Sequence, residues 1–235
     1  IDAAKKRNIV VTNTPDVLTE ATAEIAILVL LGAARRAKEG VEWANKKNWK
    51  WSTDFLVGKQ LTGLRLGILG MGRIGRAVAK RARAFGMKIH YYNRSRLDKN
   101  LEKDAIYHKS LESLISVSDF FSINCPATKE TKHIINSKTL KYFPDGAVIS
   151  NSARGDMIDD DAMVEALKSR KIYSLGLDVY NGEPNIHPEY LTLSNVFVLP
   201  HLGSATTKTR IAMGNLAISN IEEFFKTGQC KNKIN

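Results

Sequence analysis

His201 sits in "VFVLPHLGSAT", at the point where an apolar run should stop as a strand and a helix should begin. Imidazole titrates near neutral pH, and it serves as an acid or base when a carboxylate steadies its cation. A lone histidine is usually a surface or core residue, so the case rests on its company. Two more polar stretches end apolar runs in the same way. "AVISNSARGD" leads to Arg154, and "YSLGLDVYNGEP" leads to Asp178 and Glu183. A guanidinium binds a carboxylate or polarises a carbonyl, and either acid could pair with the histidine. Facing a nicotinamide, such a set suits the reduction of a 2-oxo acid.

"GILGMGRIG" supplies a seat for that nicotinamide. Gly70, Gly72 and Gly75 fall in the G-x-G-x-x-G pattern, with Met71, Arg73 and Ile74 between them, after an expected strand and opening an expected helix. Gly70 allows the tight turn, Gly72 lets the backbone approach a pyrophosphate, and Gly75 lets helix and strand close up. The helix N-terminus offers amides to the anion. At the end of the next strand, where an NAD site carries an acid, "YYNRSR" places Asn93, Arg94 and Ser95 instead. No carboxylate repels a 2′-phosphate there. Arg94 offers a planar fork, and Ser95 and Arg96 add donors. NADP is therefore expected as the preferred cofactor, with NAD possible if Arg94 only stacks on the adenine.

These groups must be brought together by elements that end on one edge. Short apolar runs, "LRLGIL", "KIHYYN", "DFFSINC", "AVISNS", "YSLGLDV" and "VFVL", read as strands. Helices alternate with them: Arg73 to Phe85, with Ile74, Val78, Ala82 and Phe85 on its apolar face, then Ser110 to Val117 and Asp159 to Ser169. The alternation predicts an α/β fold, a doubly wound parallel sheet with ligands at its carboxyl edge. A final helix is expected from Thr206 to Phe225. Asp159 to Asp161 fit the dipole of a helix start better than a metal site, and no metal is expected. Upstream, Thr19 to about Lys38 reads as one helix capped by Thr19. Its run Ile25 to Ala34 should be buried on most sides, as at a subunit interface. Residues 39–62 read as an exposed arm carrying Trp43, Trp49 and Trp51. The opening "IDAAKKRNIVVTNTP" reads as a helix end and a strand with nothing upstream to pair it, which points to a shortened chain.

The 235 residues are 43% hydrophobic, enough for a substantial core. The formal charge of +11 comes from cations scattered from Lys5 to Lys233, with no basic block, so no nucleic-acid partner is expected. The most apolar run is too short to cross a bilayer, and nothing before it is laid out as a signal peptide. With only Cys125 and Cys230, far apart, a cytoplasmic location without disulfides or membrane partner is expected.

The motifs "TPDVLTEATAE", "GMGRIG", "NSARGDMID", "GLDVYNGEP" and "PHLGSAT" resemble the D-2-hydroxyacid dehydrogenase family, and most closely its glyoxylate and hydroxypyruvate reductases. The similarity covers nearly the whole chain. It implies that Arg154 orients the substrate, a small 2-oxo or 2-hydroxy acid, and that His201 is the acid/base supported by Glu183. It implies that Asp178 holds the nicotinamide carboxamide, with Cys125, Pro126, Ser152, Ala153 and Gly203 along the cofactor cleft. It further implies a homodimer built on the long helix and the arm, with Trp49 or Trp51 near the partner's site. Domains follow: residues 1–13 as a remnant of a substrate domain, 14–203 as the dinucleotide-binding domain, and 204–235 as a helix returning towards the former. D-lactate or phosphoglycerate dehydrogenases and a non-catalytic, dinucleotide-sensing corepressor share the fold as alternatives. Glu183 argues against the formate branch.

Overall fold

The computed structural model describes residues 1–46 and 48–235. Seven strands form its sheet: β1 (Arg65–Leu69), β2 (Lys88–Tyr92), β3 (Ile106–Tyr107), β4 (Phe120–Ile123), β5 (Ala147–Asn151), β6 (Ile172–Leu177) and β7 (Val196–Val198). All pair in parallel, in the order β3-β2-β1-β4-β5-β6-β7. The central strands β4 and β5 are buried at every position, which is why they read as unbroken apolar runs. From β1 the chain winds outwards one way through β2 and β3. From β4 it winds the other way, so a crevice opens beyond the carboxyl ends of β1 and β4.

Helices cover both faces. On one side α2 (Thr19–Ala34) and α4 (Arg73–Ala84) pack their alanines on Leu66, Ile68, Tyr91 and Phe120. On the other, α6 (Leu111–Ile115) and α7 (Asp160–Lys168) enclose Phe121, Ile149, Met157 and Leu175. Asp159 caps α7 by accepting the N–H of Ala162 at 3.2 Å, with Asp160 and Asp161 in its first turn. The remaining helices are α1 (Asp2–Lys6), α3 (Ala37–Ala44), α5 (Lys99–Glu102), α8 (Pro188–Thr192) and α9 (Thr207–Thr227), the last capped by Thr206. Strand β3 and helices α5 and α8 are too short to imprint a hydrophobic period on the sequence. Among the described residues no helix is long and apolar enough to cross a membrane.

Three expectations need correction. The helix from Thr19 stops at Ala34, because Arg36 takes a left-handed backbone (φ 56°) and turns the chain into α3; its guanidinium holds that turn through Glu39 at 2.7 and 2.8 Å. Thr19 does not cap that helix: Leu18 holds the cap position and no side chain bonds there. Phe85, expected on the buried face of α4, is 41% exposed, while Ala77 and Ala79 are buried because α4 is wedged between the sheet and α2. The opening segment, which nothing upstream pairs, is held instead from the other end of the chain. The Ile234 N–H bonds the Val11 oxygen at 3.0 Å, the Asn13 N–H bonds the Asn232 oxygen at 3.2 Å, and Thr12 bridges antiparallel to Lys233.

Among its described residues the arm is helical only through α3. Trp43 meets Phe55 edge-on at 5.5 Å and Trp49 stacks on the same ring at 6.2 Å, while Trp51 is left 75% exposed. On α9, Ile211, Ile218, Ile221 and Phe225 also face outwards. Their spacing of seven, three and four residues makes one uncovered apolar stripe.

Candidate active site

The glycine loop leaves β1 through Gly70, whose φ of 94° and close approach to the backbone of Cys125 exclude a side chain: a Cβ there would stand 2.5 Å from the Cys125 nitrogen. A Cβ on Gly75 would stand 2.1 Å from the Gly70 oxygen, so α4 can begin this close to β1 only with glycine. At Gly72 the space is clear to 4 Å. The result is a bare stretch of backbone in front of the first N–H groups of α4, which have no acceptor within the helix. A pyrophosphate fits this cradle in size and charge.

The residues around the loop take unequal parts. Met71 is buried, and its N–H is given to Asn93 Oδ1 at 2.7 Å, so Asn93 braces the loop from the end of β2. Arg73 reaches across to Asp16 (2.8 Å), and Ile74 lines the cleft. Arg94 and Ser95 are exposed at the rim. Arg96 is not the additional donor expected. It forks onto Glu102 at 2.8 and 3.0 Å, and that buried carboxylate also accepts the Tyr91 hydroxyl at 2.7 Å. The hydrogen bond from Arg96 holds the Glu102 carboxyl below the usual range, while burial and Glu102 push Tyr91 up to about 12.

A cleft of about 1100 Å³ runs from the glycine loop to His201, between the stretch Asn13–Thr22 and the ends of β4, β5 and β6. Cys125, Pro126, Ser152, Ala153, Asp178 and Gly203 all line it. Burial pushes the Cys125 thiol up to about 11, so it stays protonated and packs against Met157.

Three loops meet at the far end. Buried Asn151 closes the turn after β5, accepting the Ala153 N–H at 2.9 Å and donating to the Arg154 oxygen at 2.7 Å, which leaves the Arg154 side chain exposed at the cleft. Gly155 lets this turn lie against the loop after β6; a Cβ there would fall 1.8 Å from the Tyr180 carbonyl carbon. In that second loop the Tyr180 N–H bonds Glu183 Oε1 at 2.9 Å, and the Tyr180 hydroxyl bonds the Leu199 oxygen at 2.5 Å. Glu183 Oε2 then meets His201 Nδ1 at 2.7 Å. Burial raises the Glu183 carboxyl. The bonds from His201 and Tyr180, and the charges of His201 and Arg154, outweigh it and hold the carboxyl below the usual range. Glu183 is therefore an anion at neutral pH.

The third loop carries His201 in a left-handed conformation, φ 55°. Fully buried Asp178 takes the Leu202 N–H on one oxygen (2.7 Å) and the Gly203 N–H on the other (2.8 Å). Burial raises its carboxyl, opposed by those two bonds. Asp178 thus shapes the histidine loop, and only its remaining lone pairs could face a carboxamide. With Nδ1 held by Glu183, His201 has Nε2 left for a substrate. Asn151, Gly155, Tyr180 and Thr22, whose hydroxyl bonds the Gly203 oxygen, are absent from the sequence-derived set. All four lie inside the motifs that carry the family resemblance, but their types alone gave no sign of what they hold.

Residues 27–203 match the family described as D-isomer specific 2-hydroxyacid dehydrogenase, NAD binding domain. The chain is 46% identical to the glycerate dehydrogenase of Hyphomicrobium methylovorum over 228 residues, 96% of this chain and 71% of the relative. It is 42% identical to the glyoxylate reductase of Thermococcus litoralis, over the whole of this chain and 72% of that one. Among solved structures, the NADPH-dependent glyoxylate/hydroxypyruvate reductase of Sinorhizobium meliloti, in complex with NADP and malonate, superposes with a TM-score of 0.91. Its identity is 35%, and the match covers 99% of this chain and 72% of that one.

Proposed function

The chain belongs to the D-isomer specific 2-hydroxyacid dehydrogenases, NAD(P)-dependent oxidoreductases, and from that membership we propose that it reduces glyoxylate or hydroxypyruvate with NADPH. The observation that carries this reading is the Glu183–His201 pair beside Arg154, at the end of a cleft that starts on a bare glycine loop. The bound nicotinamide supplies the hydride. Arg154 binds the substrate carboxylate and sets the carbonyl towards His201. The imidazolium gives its Nε2 proton to the carbonyl oxygen, so hydride and proton add across the C=O bond and a 2-hydroxy acid results. Glu183 keeps Nδ1 in place and balances the cation. The relatives named glycerate dehydrogenase and glyoxylate reductase support a short acid. Preference for NADPH rests on Arg94: among the described residues it forms no ion pair, whereas Arg73 and Arg96 are both engaged.

The same reading makes residues 14–203 the dinucleotide-binding domain, with residues 1–13 and the uncovered stripe of α9 turned towards a substrate domain. It makes the protein a cytoplasmic homodimer, in which exposed Trp49 and Trp51 of the arm meet the partner. A monomer at micromolar concentration in the ultracentrifuge refutes that assembly. The function itself is tested by assaying purified protein with NADPH and NADH against a panel of 2-oxo acids. Turnover of the two short acids, faster with NADPH, is the expected result. Tight NADPH binding with no turnover of any acid overturns it in favour of a dinucleotide sensor.

A further inference from the structure

Thr22 stands in the first turn of α2, 7% exposed and on the wall of the cleft. Its hydroxyl donates to the carbonyl oxygen of Gly203 at 3.0 Å, a bond between residues 181 positions apart. The N–H of the same glycine goes to Asp178 Oδ2, and the N–H before it to Asp178 Oδ1. The peptide groups just after His201 are therefore gripped from both sides, a carboxylate on the donors and a hydroxyl on the acceptor. His201 has need of such a grip. A left-handed backbone costs a histidine free energy, and it persists only where its surroundings impose it. Relaxation of φ would carry the imidazole away from Glu183, whose carboxylate is fixed separately by the Tyr180 N–H. Asp178 alone leaves the Gly203 carbonyl free to rotate with its peptide. The Thr22 hydroxyl removes that freedom.

We propose that Thr22 is a positioning residue for His201: its hydroxyl, through the Gly203 carbonyl, fixes the loop on which the imidazole meets Glu183. The kinetic consequence rests on the reduction assigned above. Proton delivery then depends on the Thr22 hydroxyl, whereas cofactor binding does not. Thr22→Val keeps the shape and removes the hydroxyl; Thr22→Ser keeps the hydroxyl and removes the methyl.

The test is a comparison of these two variants in the purified enzyme with NADPH and glyoxylate. Thr22→Val is expected to lower kcat about tenfold, the loss of one buried hydrogen bond from the transition state, with NADPH affinity within about twofold. Thr22→Ser should restore kcat to within about twofold. In a His201→Asn background Thr22→Val should have no further effect, because the residue through which it acts is gone. Unchanged kcat in Thr22→Val, equal losses in both variants, or the same loss without His201 would each overturn the proposal. Should Thr22→Val fail to fold, Thr22→Ala makes the same comparison with Thr22→Ser. If the unmutated enzyme reduces no 2-oxo acid, the functional reading falls by itself. The grip is then decided by the imidazole ¹⁵N signals of His201, which must move in Thr22→Val and stay in Thr22→Ser; signals that stay in both overturn it.

Discussion

On the cofactor side of the cleft the backbone makes the site and side chains are kept out of it. Gly70 and Gly75 leave no room for a Cβ, and the space at Gly72 is clear. On the catalytic side the relation is reversed, and buried side chains hold the backbone. Asn151 closes the arginine turn, and Asp178 and Thr22 grip the histidine loop. The two regions should therefore fail in opposite ways. Added atoms damage the first, and removed polar atoms damage the second.

His201→Asn gives the largest separation. Reduction should fall about 10²- to 10⁴-fold, the usual contribution of a general acid, while NADPH binding stays within about twofold. Retained turnover would remove His201 from its role and end the comparison. Gly75→Ala is the reverse case. One methyl against the Gly70 oxygen forces α4 outwards at a cost of about 1–3 kcal/mol, read as NADPH affinity weaker by about 5- to 150-fold in a fluorescence titration. The kcat at saturating cofactor should hardly change; a fall in kcat with unchanged affinity would show that the glycine loop shapes the catalytic side instead.

Arg94→Ala sharpens the contrast within the cofactor side. A charge-assisted bond at an exposed rim implies a preference for NADPH over NADH on the order of 10- to 100-fold. The variant should lose most of it by weakening NADPH alone, and equal affinities in the unmutated chain would mean that Arg94 contributes nothing to selection. Glu183→Gln has the smallest expected effect, about tenfold on kcat at neutral pH. Its signature is in the pH profile. The Glu183 carboxyl is held below its ordinary range, so its support of His201 is complete above about pH 4.3 and is lost only as pH falls through the lowered value. Glutamine has no charge at any pH, so an acid limb due to Glu183 should vanish. If the limb survives, Glu183 is not the group that titrates there.

The same contrast explains what could be read from the chain without coordinates. Gly70, Gly72 and Gly75 are adjacent, and their meaning lies in local chain geometry, so the loop was legible at once. Six of the seven strands, and the position of Arg154, Asp178 and His201 after strand ends, were legible too, because burial on both faces leaves unbroken apolar runs; the spatial order of the strands and the two-residue β3 were not. Thr22 lay inside a quoted motif, but its bond to Gly203 was not legible, since the partner lies 181 residues away and a hydrogen bond leaves no period. Asp178 was noticed for its place after β6, but its bonds to the histidine loop had no local sign. Arg96 looked like a ligand donor beside Arg94 until Glu102, six positions on, proved to occupy it. The break at Arg36 lay inside a run whose composition favours helix throughout.

The pairing of residues 11–13 with residues 232–234 bears on the order in which the protein assembles. An amide at position 11 cannot meet the side chain of Asn235 until 224 further residues have been made. At ordinary translation rates of about 5–20 residues per second, that is a wait of roughly ten to forty-five seconds. Over this interval β1 to β7 are all synthesised and can pair, while residues 11–13 still lack their partners at 232–234. Residues 11–13 can therefore close onto residues 232–234 only after every strand of the sheet has been made, so this contact joins a core whose strands are already able to pair.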